Sequence, residues 1–172
     1  MYDAGGTVYW ITGLSGAGKT TLARAVVAAL RARGRFALLL DGDALRAILG
    51  RDKDGFEADA RRELARTYGR LAAALAAQGA DAVCATISMF ADVRAWNRAN
   101  NPAYVEVYLD VPLAERARRD PKGLYAAATA DMAGIDASVE PPVDPDLTFG
   151  PEMPVAEAAA RVLDFARTRG WA

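Results

Sequence analysis

Apolar positions in this chain come in short continuous runs separated by longer stretches of helical spacing. Val8-Tyr9-Trp10-Ile11 is the first run and reads as a buried strand. From Thr21 to Leu30 the apolar residues recur at the helical period, and Gly34 follows as a plausible C-cap. Phe36-Ala37-Leu38-Leu39-Leu40 predicts a second buried strand ending at Asp41-Gly42-Asp43. A long amphipathic helix is expected from about 58 to 78, with Leu64, Leu71 and Leu75 as its apolar marks. Its arginines, Arg61, Arg62, Arg66 and Arg70, read as a solvated face.

The second half repeats the alternation. Strands are expected at 81–86 and 104–109, a helix at 92–99 between them, and Pro112 opens a helix ending near Arg119. About twenty residues of weak periodicity follow, closing in Val139-Glu140-Pro141-Pro142-Val143-Asp144-Pro145. Leu147-Thr148-Phe149 suits a short last strand, and 155–168 a closing helix. Strands alternating with helices predict an α/β protein: a parallel sheet of about five strands with helices on both faces. With no repeat or linker in view, residues 1–172 are expected to form one domain, with a lid over about 119–145.

Between the first strand and the first helix stands Gly13-Leu14-Ser15-Gly16-Ala17-Gly18-Lys19-Thr20, which fits G-x-x-x-x-G-K-[ST], the P-loop. Its glycines let backbone N–H groups close on phosphate oxygens, and the dipole of the following helix favours negative charge there. The expected ligand is ATP with Mg²⁺. Lys19 reaches for the outer phosphates and the Thr20 hydroxyl for the metal. Asp41 and Asp43 lie just past a strand's carboxyl end, where open α/β sheets put their ligands. One is expected to act on Mg²⁺ or its waters and the other on a substrate hydroxyl. The competing reading is a turn in which Asp43 caps a helix starting at Ala44.

Composition narrows the field. The net charge is −1 at 52% hydrophobic content, which leaves no basic field for a nucleic-acid polymer. Cys84 lies in an apolar run and reads as a buried small hydrophobe. No run approaches transmembrane length and the first residues lack signal-peptide character, so a cytoplasmic protein without a membrane partner is expected. Histidine is absent, so a general base is expected among the carboxylates. The only lysines are Lys19, Lys53 and Lys122, which directs attention to Lys122.

The P-loop, Leu40-Asp41-Gly42-Asp43 with Arg46, Gly55-Phe56, Arg119-Asp120-Pro121-Lys122-Gly123-Leu124-Tyr125, Gly134-Ile135-Asp136 and Pro145-Asp146-Leu147 occur in that order. Together they resemble the adenylylsulfate kinases, P-loop kinases of sulfate assimilation, over nearly the whole chain. The resemblance implies transfer of the γ-phosphoryl group of MgATP to the 3′-hydroxyl of adenylyl sulfate. It implies a nucleotide site of Gly13, Ser15, Gly16, Ala17, Gly18, Lys19, Thr20, Thr21 and Arg119, with Thr20 and Asp41 toward the metal. For the acceptor it implies Asp43, Arg46, Phe56, Arg61, Ile87, Ser88, Lys122 and Leu124, with Phe56 stacking on the base. Lys19, Asp41, Asp43 and Lys122 carry the catalytic roles. A homodimer is implied as well.

Three departures touch the acceptor side only. Leu64 stands where the family has Asn, Ser88-Met89-Phe90-Ala91 replaces S-P-[FY]-R, and the stretch between Tyr125 and Gly134 is about four residues short. Thr86-Ile87-Ser88-Met89-Phe90 followed by Asn97-Arg98-Ala99-Asn100 resembles a divergent branch acting on cytidine diphosphoramidate in surface-polysaccharide pathways. Among other classes, a guanine-nucleotide switch requires N-K-x-D, which is missing, and a non-catalytic nucleotide-binding module sits poorly with intact Lys19, Thr20, Asp41 and Asp43.

Overall fold

The computed structural model describes residues 5–50, 58–119 and 139–171. In chain order the elements are β1 (Val8–Gly13), α1 (Lys19–Ala32), β2 (Ala37–Asp41), α2 (Gly42–Ile48), α3 (Ala58–Ala76), β3 (Asp81–Ala85), α4 (Ala91–Asn100), β4 (Tyr104–Leu109), α5 (Leu113–Arg119), β5 (Leu147–Phe149) and α6 (Val155–Thr168). The five strands form one sheet in the order β2-β3-β1-β4-β5, and every neighbouring pair is parallel.

β1 takes the centre because nothing in it needs water. Alternate residues of a strand face opposite sides of a sheet, and here each side meets its own core. Tyr9 and Ile11 join α1 and α6 through Leu22, Val26, Leu30, Val162 and Leu163. Val8 and Trp10 join α2, α3 and α4 through Leu45, Ala65, Tyr68, Ala72 and Val93. Both faces of the sheet are therefore covered by helices, as parallel sheets require. Strand order reverses at β1, with β3 on one side and β4 on the other, and such a switch point opens a crevice at the strands' carboxyl ends.

The helical stripe of α3 differs from the expected one. Ala65, Tyr68, Gly69, Ala72 and Ala76 are buried, whereas Leu71 is exposed and Leu64 and Leu75 are only half-buried. Small residues let α4 approach: a Cβ on Gly69 would stand 2.3 Å from Asn97 Oδ1. Gly34, just past the C-cap Arg33, closes α1 at φ +76° as expected. Cys84 is buried in β3, and burial pushes its thiol pKa up, so it is held as an inert thiol. Among the described residues no helix is long and apolar enough to cross a membrane.

Candidate active site

The loop between β1 and α1 is shaped by what surrounds it. Gly13 has φ +153°, and a Cβ there would lie 2.8 Å from the Leu109 carbonyl oxygen of β4. Gly16 has φ +78° and would meet the Arg116 carbonyl of α5 at 3.1 Å. A side chain at Gly13 would collide with backbone, and one at Gly16 would be both crowded and strained by its positive φ, so these glycines are favoured by packing as well as by conformation. Gly18 is the N-cap of α1, no side chain caps it, and the first turn holds no acid. The helix therefore presents its positive end to the loop. Lys19 folds back so that Nζ donates to the Leu14 carbonyl at 2.8 Å, across the mouth of the loop.

Across the crevice, Thr20 Oγ1 donates to Asp41 Oδ2 at 2.7 Å. The other oxygen of Asp41 accepts from the backbone N–H groups of Asp43 and Ala44, at 3.1 and 3.3 Å. Asp41 is thus the N-cap of α2, which begins at Gly42. The competing reading, in which Asp43 caps a helix from Ala44, is corrected: the cap is two residues earlier, where the extended backbone of Asp41 turns its carboxylate onto the N–H groups of Asp43 and Ala44. Asp43 is left exposed in the first turn of α2, with Arg46 three residues on along the same helix.

Two further contacts fix this acidic turn. The Tyr68 hydroxyl of α3 donates to the Gly42 carbonyl at 3.0 Å. Burial, together with Asp43 and Asp41, pushes the phenol up to about 12 against the opposing effect of Arg46, so Tyr68 stays a donor. Gly42 also packs on β3, where a Cβ would come within 3.2 Å of the Ala85 carbonyl.

The segment leaving β3 forms the next wall. Thr12 of β1 donates its hydroxyl to the Ile87 carbonyl, and the Thr86 and Ser88 hydroxyls share a hydrogen bond at 2.6 Å. Ile87 and Ser88 are thereby tied to the strand that carries the P-loop. Arg61 is half-buried near the start of α3. Arg119 stands on the other flank, at the end of α5, where it bonds Glu115 at 3.0 Å and the Pro151 carbonyl at 3.3 Å. Phe56, Lys122 and Leu124 lie outside the described residues, as does most of the expected lid.

The arginine face of α3 is only partly the solvated surface expected of it. Arg70 is 64% exposed, 3.7 Å from Glu63. Arg62 and Arg66 instead reach Asp92 at the start of α4, at 2.5 and 2.8 Å. Tyr68 and the Arg62–Asp92 pair escaped sequence reading. A tyrosine on the alanine stripe of α3 was the available signal for the first, and nothing local marked the second.

No three acidic, cysteine or histidine side chains among the described residues gather as a metal cage. Thr20 and Asp41 are hard oxygen donors, which suits Mg²⁺ held through one carboxylate and a substrate's phosphates.

A family model of adenylylsulphate kinase matches residues 5–150. The chain belongs to the adenylylsulphate kinase family. It is 40% identical over 171 residues to the bifunctional enzyme NodQ of Rhizobium tropici, covering 94% of this chain but 27% of that protein. To adenylyl-sulfate kinase 1, chloroplastic, of Arabidopsis thaliana it is 38% identical over 180 residues, 99% of this chain and 64% of the relative. The chain therefore spans about a quarter of NodQ and under two thirds of the plant enzyme. Among solved structures, the Mycobacterium tuberculosis APS kinase CysC in complex with AMPPNP and APS superposes with a TM-score of 0.88 at 38% identity, over 95% of this chain and 99% of that one. A hexameric APS kinase from Thiobacillus denitrificans gives 0.71 at 30% identity, covering 99% of this chain and 30% of that one. The five-stranded parallel sheet is the fold of these P-loop kinases.

Proposed function

We propose that this chain moves the γ-phosphoryl group of ATP to the 3′-hydroxyl of adenylyl sulfate, giving ADP and 3′-phosphoadenylyl sulfate, a reaction that fits sulfate assimilation. The observation that carries the reading is the 2.7 Å bond from Thr20 to Asp41, which joins the phosphate loop to the acidic turn through one carboxylate. Support comes from the family match and from the mycobacterial relative, whose structure holds an ATP analogue and adenylyl sulfate together.

The roles follow from the geometry. Backbone N–H groups from Gly13 to Thr21, with Ser15, Ala17 and the positive end of α1, bind the phosphates. Lys19, which spans the loop mouth through Leu14, turns its ammonium to the transferring group and neutralises charge as the bond to the leaving ADP lengthens. Thr20, with Asp41 behind it, would hold Mg²⁺, which would supply further charge neutralisation at the phosphates.

Asp41 already serves Thr20 and two helix N–H groups. Asp43, exposed in the first turn of α2, is the carboxylate given the acceptor hydroxyl. As that oxygen bonds to the γ-phosphorus and the bond to the β-phosphate oxygen breaks, the hydroxyl proton passes to Asp43. Arg46, Arg61, Ile87 and Ser88 hold the acceptor nucleotide. Phe56, Lys122 and Leu124 complete that side, and Arg119 flanks the base of ATP. The single kinase domain over 1–172 and the homodimer belong to the same proposal.

The test is to incubate the chain with MgATP and a panel of acceptors: adenylyl sulfate, cytidine diphosphoramidate and AMP. ADP release that depends on adenylyl sulfate and yields its 3′-phosphorylated product is the expected result. Preference for the cytidine conjugate overturns the acceptor. Nucleotide binding with no acceptor-dependent ADP release overturns the kinase reading itself.

A further inference from the structure

The wall made by residues 86–90 does not stand by itself. Phe90 is the N-cap of α4, yet no side chain of its own segment caps that helix. The missing acceptor arrives from far along the chain. Glu140 Oε2 accepts from the Ala91 N–H at 2.7 Å, while the Glu140 N–H donates to the Met89 carbonyl at 2.9 Å. One residue thus grips both sides of Phe90. Its second carboxylate oxygen accepts from Arg62 Nη2 at 3.1 Å, and Arg62 also lies over the Phe90 ring at 4.7 Å and pairs with Asp92 at 2.5 Å. The Ala91 N–H first, then Arg62, holds the Glu140 carboxyl below its ordinary range.

This arrangement joins three pieces of chain: α3 through Arg62, the exit of β3 through Met89 to Ala91, and the approach to β5 through Glu140. The piece in the middle is the one that matters for chemistry. Ile87 is fixed to Thr12 at its start and Ser88 to Thr86, but from Met89 onward the anchor is Glu140.

We propose that Glu140 is a positioning residue for the acceptor nucleotide: by clamping Met89 and Ala91, with Arg62 steering its carboxylate, it fixes the Met89–Phe90 end of the wall whose other end, Ile87 and Ser88, Thr12 and Thr86 fix. The inference rests on the acceptor lying against that wall. It draws on none of residues 120–138. Neither Glu140 nor Arg62 needs to touch substrate, and neither contacts the phosphate loop, so the effect belongs to the acceptor and not to ATP.

The test uses the full chain, with whichever panel member the unaltered enzyme phosphorylates. Glu140→Ala is expected to raise the acceptor KM about tenfold, the scale of one lost charge-assisted hydrogen bond, while the KM for ATP moves less than about twofold. Glu140→Gln keeps an oxygen for the Ala91 N–H but sets an amide against Arg62, and is expected to raise the acceptor KM about threefold. Arg62→Ala added to Glu140→Ala is expected to cost little more, because the two act as one unit. Equal increases in both KM values, or an unchanged acceptor KM in Glu140→Ala, overturn the proposal. If Glu140→Ala fails to fold, the Gln variant decides on the same criterion. Failure with adenylyl sulfate but turnover of another acceptor sinks the substrate assignment while leaving the clamp to be judged on that acceptor. An enzyme that phosphorylates no acceptor overturns both.

Discussion

The nucleotide corner and the acceptor wall are built by opposite means. The corner is local: eight consecutive residues, a lysine bonded to a carbonyl five positions back, and glycines pressed on the backbone of Leu109 and Arg116. The wall is assembled at long range. Tyr68 reaches Gly42 across 26 positions, Arg62 reaches Asp92 across 30 and Glu140 across 78. A corner made of backbone has few settings, since moving it means refolding the loop. A wall made of side-chain links is adjusted one substitution at a time. Of the three departures from the family pattern, those at Leu64 and at Met89 to Ala91 fall on the wall side, and the third lies outside the described residues.

If that contrast holds, the largest effect is on the corner and is blind to the acceptor. Lys19→Ala is expected to lower kcat/KM about 10³-fold, the scale on which removing a charge-stabilising donor acts in phosphoryl transfer. Measured by ADP release, the loss should be the same for every acceptor the enzyme uses. A loss that depends on the acceptor breaks the division between the two regions.

Next comes the support behind the wall. Arg94 of α4 and Glu106 of β4 pair at 3.2 Å with both side chains under a tenth exposed. Arg98 and Asp146 extend the link, the Asp146 carboxylate also accepting from the Glu106 N–H at 2.8 Å. Glu106→Ala strands a buried guanidinium and is expected to destabilise the fold by about 3–5 kcal/mol. Urea unfolding measures it. A loss under about 1 kcal/mol would mean that Arg94 finds water on rearranging, and that α4 carries the wall without this pair.

The same division explains what could be read beforehand. β1, the P-loop and α1 were legible because their signals are local: an apolar run, a glycine pattern, a helical stripe. Each strand was placed to within a residue or two for the same reason. The packed face of α3 was misjudged because leucines were weighed and alanines were not, although close approach to α4 at Gly69 and Asn97 favours the small residues. Which of Asp41 and Asp43 caps α2 turned on one residue's backbone conformation, which composition does not reveal. Of four arginines on α3, nothing nearby in sequence shows that Arg62 finds Glu140 while Arg70 stays in water.

The smallest expected effect is the sharpest test of the contrast, since it separates the two regions at one atom. Tyr68→Phe keeps the buried ring, 3% exposed, and removes only the hydroxyl that donates to Gly42 at 3.0 Å. A single neutral hydrogen bond is worth about 1 kcal/mol, so stability should fall by about that much. The Gly42 carbonyl lies between Asp41, which serves the phosphate loop, and Asp43, to which the acceptor hydroxyl is given. Asp41 is held independently by Thr20 and by two N–H groups of α2, and does not need Tyr68. Asp43 follows Gly42 directly in the first turn of α2, so it moves with that carbonyl. Loosening the turn should therefore lower kcat about threefold at saturating acceptor, half to one decade being worth roughly 0.7–1.4 kcal/mol, while the KM for ATP stays put. A shift in the ATP KM as large as the fall in kcat would mean that the acidic turn moves as one body, with α3 holding the nucleotide corner as firmly as it holds the wall.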